Sequence, residues 1–183
     1  MNLVVAVYRE TPASRPPGRW YEPDAAETSG RDGDVAAIVV LPGTDVPAGA
    51  VEAYHVDHRP QWDASRRDGR EVTQLSFVRR NPGLDRDAFA HHWSEVHAPL
   101  ARVHHPKVVR YAQNVVVEVL TPGAIHIDGV AELTFPSLDD CRHHRYDSPE
   151  GQEIVQADVA RFLELGAGWR TIARLRADGL SPA

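Results

Sequence analysis

The amino-acid sequence predicts an α+β fold: a ferredoxin-like β-α-β-β-α-β unit in its second half, preceded by extra N-terminal strands. Three observations predict it. Short β-branched, apolar runs bounded by Pro, Gly and Asp recur along the chain, as strands do. Two longer stretches, around 89–104 and 149–165, instead space their apolar residues as amphipathic helices. From residue 72 onward these elements alternate as strand, helix, strand, strand, helix, strand.

Leu3 to Tyr8 and Val35 to Leu41 are the first two expected strands. Between them, "ETPASRPPGRWYEPDAAETSGRDGD" holds too many Pro, Gly and charged residues to be regular, and a loop of that length inside a compact domain is usually functional or partly disordered. "VEAYHVDHRPQWD" (51–63) reads as a strand running into a polar linker, 64–71. Residues 1–63 therefore form a degenerate, strand-rich N-terminal half, and 72–177 the complete unit.

In that unit "VTQLSFVRR" (72–80) alternates as a strand, and Asp85 or Asp87 can cap a helix by accepting its free first-turn N–H groups. "VVRYAQNVVVEVL" (108–120) and "GVAELTF" (129–135) are strands around a "TPG" turn. Ser137 and Asp140 stand at capping-box spacing. Ser148 with Pro149 starts a second helix that runs to Leu165 and stops at Gly166, and "WRTIARLRA" closes as a strand. A four-stranded sheet with helices on one face needs cover on the other, and a second such sheet, from the first half or from a homodimer partner, supplies it.

Composition narrows the function. A net charge of −6 with scattered arginines disfavours nucleic acid and acidic membranes. A single cysteine, Cys141, excludes an internal disulfide and a multi-cysteine zinc site and fits a reducing cytoplasm. "MNLVVAVYRE" lacks the basic lead of a signal peptide and the length of a membrane span. Nucleotide-binding glycine loops, a G-x-S-x-G elbow and H-E-x-x-H are absent.

The chemistry concentrates in "HHWSEVHAPLARVHH" (91–105), which holds five of the ten histidines. On a regular helix Phe89, Trp93, Val96, Leu100 and Val103 form the buried stripe, His97 and His104 lie on one edge of it at about 80° and 60°, and His92 lies on the other at about −60°. A helical zinc pair needs i, i+4 spacing, which these residues lack, so no metal is expected here. Pro99 removes the bond to the carbonyl of Glu95 and disturbs the helix just beyond His97. An imidazole at such an irregularity suits acid–base work, and equally suits a hydrogen bond to a backbone carbonyl at the kink.

Asp158 falls inside the apolar arc of the second helix, between Ile154 and Phe162, so it either satisfies a structural hydrogen bond or orients a histidine. Along 108–120, Tyr111 and Gln113 share one strand face and Arg110 and Asn114 the other. Glu132 is either a pocket carboxylate or a cross-strand salt-bridge partner. His55 and His58, three apart in a strand, face opposite sides and share no ion.

"FAHHWSEVHAPLARVHHPKVVRYAQN", "DGVAELTF" and "YDSPEGQEIVQADVARFL" together resemble the EthD family of the dimeric α/β-barrel superfamily, over about residues 73–175. "VEAYHVDHRPQWD" resembles the segment that joins the halves of tandem members, in which the first half is usually a fuller copy than residues 1–50 offer. The resemblance implies a small protein that needs no organic cofactor. Its relatives include decarboxylases, tailoring enzymes of aromatic polyketide pathways and a muconolactone methyl-isomerase, with oxygenases and haem proteins in other branches. It places the histidine of "HAP", His97, at the pocket, and maps "HW" to His92 and Trp93 and "RY..N" to Arg110, Tyr111 and Asn114.

The expected function is a cytoplasmic acid–base enzyme of lyase or isomerase type that takes a polyketide-like or lactone-like small molecule. His97 would move the proton, and Asp158 or Glu132 would orient a histidine. His92, Trp93, His104, Tyr111, Asn114 and Glu132 would contact substrate, with no metal, no cofactor and a homodimer. The alternatives are a cofactor-free oxygenase of phenolic or anthrone substrates, and a non-catalytic binder of haem or a metabolite.

Overall fold

The computed structural model describes residues 2–15 and 17–180. Eight strands run β1 (Asn2–Tyr8), β2 (Arg19–Pro23), β3 (Ala37–Pro42), β4 (Glu52–Asp63), β5 (Val72–Val78), β6 (Arg110–Val119), β7 (Gly129–Phe135) and β8 (Trp169–Asp178). They close into one barrel in the order β1-β3-β2-β8-β5-β7-β6-β4, every neighbouring pair antiparallel. This overturns the expected fold class. The protein is a closed eight-stranded β-barrel carrying short helices, not a ferredoxin-like α+β unit with accessory strands.

The reason lies at the sheet edges. A strand edge carries unpaired N–H and C=O groups that must be covered or paired. Here β2 pairs with β8 and β4 pairs with β6, so the first half supplies four integral staves and the barrel closes without a second copy. Residues 19–23, expected to be irregular, form β2. Its Tyr21 and Trp20 are buried, and local Pro and Gly content was outweighed by pairing on both sides.

Alternation sets the layers. Leu3, Val5, Ile38, Val40, Tyr54 and Phe77 point into the barrel, where Phe77 stacks on Trp169 at 3.8 Å. Their intervening neighbours point outward: Val4, Ala6 and Val39 into a cluster on the N-terminal side, Val72, Tyr111 and Val115 beneath the helices on the other. In β4 the register shifts twice, once beside Pro60, which lacks a ladder N–H. Among the described residues no helix is long and apolar enough to cross a membrane.

The helices are α1 (Arg86–His91), a π-helical segment (His92–His97), α2 (Ala98–His104), α3 (Leu138–His143) and α4 (Pro149–Phe162). Three caps act as expected: Asp85 accepts from Ala88 N, Ser137 from Asp140 N and Ser148 from Gly151 N. Ser148→Ala is expected to lower stability by about 1 kcal/mol, measured by urea unfolding, because the Gly151 amide loses its acceptor. Helix α4 ends at Phe162, three residues early, because Leu163 turns extended and bridges to Arg80.

Candidate active site

The π-segment is the local event that builds the site. Pro99 has no N–H to give, and the widened turn upstream of it closes with Ala98 N–H on Trp93 O, an i to i−5 bond. One extra residue per turn rotates everything downstream by about 100° relative to a regular helix. The stripe that begins at Phe89 and Trp93 therefore continues through His97, Ala98 and Ala101, all buried. The expected stripe residues Val96 and Val103 are instead 43% and 64% exposed. The disturbance lies at and before His97 rather than just beyond it, and it turns that imidazole from the stripe's edge into the interior.

Asp158 receives it from α4. His97 Nδ1 lies 2.9 Å from Asp158 Oδ2, and His92 Nε2 lies 2.9 Å from Asp158 Oδ1. One carboxylate thus bridges two imidazoles from successive turns, and the Phe162 ring sits 5.0 Å from each. With Nδ1–H donated to Asp158, Nε2 of neutral His97 carries a free lone pair. Among the described residues that nitrogen has no hydrogen-bond partner. Burial pushes the His97 pKa below 6.5 and outweighs the opposing pull of the Asp158 hydrogen bond and charge.

The supporting shell was partly missed. Trp93 Nε1 donates to Tyr111 Oη at 2.7 Å, and Gln113 donates both to Trp93 O at 2.8 Å and to Tyr111 Oη at 3.1 Å. Gln113 thereby pins the π-turn to β6, and Ser94 Oγ donates back to it at 2.9 Å. Its signal was available, since it shares a strand face with Tyr111. A Cβ on Gly129 would stand 2.4 Å from the Trp93 ring, so the indole depends on that glycine. Tyr111 Oη already holds two donors, and burial raises its pKa.

The remaining expected site residues lie elsewhere. Asn114 and Glu132 point into the barrel, across its wall from His97 and Tyr111, as the alternation of β6 requires. Asn114 donates to Glu132 Oε1 at 2.9 Å and meets His58 Nδ1 at 2.7 Å. Glu132, fully buried, also takes Arg19 Nη1 at 3.0 Å, Tyr21 Oη and, at 3.5 Å, Arg110 Nη2. Burial works to raise this carboxyl, but the two guanidinium groups prevail and hold it at about 2. Arg19 and Tyr21 escaped notice because β2 did. His104 faces Asp147 at 3.1 Å, and both crowd Gly151, where a Cβ would stand 2.7 Å from the imidazole.

His105, unremarked in the sequence, is buried, with Nδ1 3.0 Å from Arg145 O and its ring 4.9 Å from Tyr146. Burial lowers its pKa to about 4 despite that hydrogen bond. Because the folded values of His97 and His105 lie below 6.5, the unfolded chain binds more protons between pH 6.5 and 4. Stability is therefore expected to be fully present above about pH 6.5 and to decline towards pH 4. His105 alone costs about 3 kcal/mol across that range, and His105→Asn should flatten a urea-denaturation series over it.

The described cavities lie beside this cluster rather than on it. The largest, about 810 Å³, sits on the outer face of β5 and β8 under α3 and the start of α4; two others measure about 360 and 290 Å³. None of the three is lined by His97 or Asp158. His92 is the most exposed member of the cluster, with a side chain 22% exposed. Among the described residues no three His, Cys, Asp or Glu side chains group as a metal site.

The EthD domain family matches residues 81–166, the span that contains α1, the π-turn, β6, β7 and α4. That match spans 86 of the chain's 183 residues. No curated protein matches the chain. Among solved structures it is similar to a "putative monooxygenase" from Lactobacillus acidophilus NCFM, with a TM-score of 0.47 and 10% identity over 95% of this chain and 76% of that one. A likeness this distant assigns no chemistry. The EthD match encloses His92, His97 and Asp158 together.

Proposed function

We propose that this EthD-domain protein is an acid–base enzyme of the decarboxylase, dehydratase, cyclase or isomerase type, acting on a cyclic, enolisable or lactone-like metabolite. One observation carries the reading: Asp158 fixes His97 through Nδ1 and leaves Nε2 as a neutral lone pair with no protein partner described. Each of these reactions removes a proton beside a carbonyl, or returns one there, and a fixed imidazole serves both steps. The carboxylate sets the tautomer and stabilises the imidazolium that forms, and His92 holds the carboxylate's other oxygen. This reading requires substrate to reach Nε2 past His92, the cluster's most exposed side chain.

The test is proton exchange. A panel of cyclic β-diketones, β-keto acids and unsaturated lactones is incubated with the protein in D2O and followed by NMR. The wild type is expected to place deuterium beside the carbonyl or to convert the compound, and His97→Ala to do neither. Equal exchange by wild type and His97→Ala overturns the assignment of His97. Turnover that consumes oxygen overturns the lyase or isomerase reading in favour of oxygenation.

A further inference from the structure

The 810 Å³ cleft carries a charge imbalance that the acid–base reading does not use. Its floor is the outer face of β5 and β8, at Gln74, Arg170 and Ile172; its walls are residues 26–29 on one side and the segment from α3 into α4 on the other. Its two carboxylates are already engaged. Glu27 pairs with Arg142, and Asp147 meets His104 at 3.1 Å. Arg145 instead donates to the neutral amide of Gln74 and lies over the Phe135 ring at 5.6 Å, while Arg170 stands exposed on the floor. Among the described residues neither Arg145 nor Arg170 has a carboxylate partner. Two uncompensated guanidinium groups thus share one concave site on a chain whose net charge is −6.

We propose that this cleft binds a small organic anion, with its carboxylate or phosphate head held by Arg145 and Arg170 and its body against Ile172 and Pro149. The guanidinium fork matches the geometry of either oxyanion, and the cavity has the size of small-molecule sites. Arg145 is held in advance by Gln74 and Phe135, so little side-chain freedom is lost on binding. The site stands independently of His97, which does not line it.

Calorimetric titration with benzoate, phenyl phosphate, inorganic phosphate and neutral benzamide tests the proposal. The full chain is expected to bind benzoate or phenyl phosphate, more weakly as salt rises, and the tighter of the two identifies the head group. Arg170→Gln, at an exposed position that leaves the fold intact, is expected to weaken binding at least about tenfold, and Arg145→Gln likewise. Arg86→Gln, on α1 away from the cleft, should change nothing. Absence of binding by either organic anion, equal binding of benzamide, unaltered affinity in Arg170→Gln, or inorganic phosphate binding as tightly as the organic anions overturns the proposal.

Discussion

Glu132→Ala is expected to lower the stability of the barrel by about 3–5 kcal/mol, the loss typical of breaking a buried ion pair from one side. Glu132 is the only carboxylate that Arg110 touches among the described residues, and it is also paired with Arg19; both guanidinium groups are buried. Arg110 Nη1 is already buried without a partner, and without Glu132 Arg110 keeps only the hydroxyls of Tyr21 and Thr134, while Arg19 keeps Asp178 at 3.4 Å. Glu132→Gln keeps the shape and the Asn114 contact but not the charge, and should cost nearly as much. The double change Glu132→Met with Arg110→Met removes charge from both sides and should recover part of the loss. Urea unfolding of the four proteins measures this. A loss below about 1 kcal/mol for Glu132→Ala would sink the reading that this carboxylate holds the lumen together. The acid limb has the same sign as that of the histidines but a different cause, ion pairing rather than burial: a carboxyl held at about 2 contributes stability above its ordinary 4.5, lost as the pH falls from there towards 2.

That cluster also shows what the sequence does and does not disclose. Glu132 was legible as a cross-strand ion-pair partner, because a carboxylate amid Val130 and Thr134 on one strand face needs a cation. Its partner Arg19 was not, because β2 is five residues long and lies in a stretch whose prolines and glycines argue against regularity. Short strands are created by the edges they meet, and local propensity cannot register an edge contributed by Asp178 or Val40 from far along the chain. For the same reason alternation and caps were readable while closure of the barrel was not. The helix tells the complementary story. Pro99 announced an irregularity, but a kink and an inserted π-turn share that signal and place His97 differently. The choice between them was made by Gln113, which reaches from β6 to the Trp93 carbonyl, and by Asp158, which accepts the rotated imidazole. A wheel drawn on regular geometry therefore buried Val96 and Val103 and left His97 at the edge, one residue out of phase with the protein.

The second large effect is on catalysis. His97→Ala is expected to lower turnover by about 10²–10⁴, the contribution of a positioned proton carrier, with the fold retained by circular dichroism. His97→Gln, closer in size, should lose as much activity with less disturbance of the Phe162 contact. Asp158→Asn separates orientation from packing. An amide offers one acceptor and one donor where the carboxylate offers two acceptors, so one imidazole must change tautomer or break its bond. If the amide N–H faces His97 Nδ1, the proton moves to Nε2 and the base is lost; turnover should fall in this variant, by less than in His97→Ala. The pH profile distinguishes a positioning role from a structural one. Wild-type kcat/KM should lose activity only below pH 6.5, since burial lowers the His97 value. Asp158 acts to raise that value through its hydrogen bond and charge, so Asp158→Asn should move the acid limb further down, and His97→Ala should abolish it. Turnover within about threefold of wild type in His97→Ala, or an acid limb unmoved by Asp158→Asn, would place the chemistry elsewhere and leave the bridged pair as a clamp between two helices.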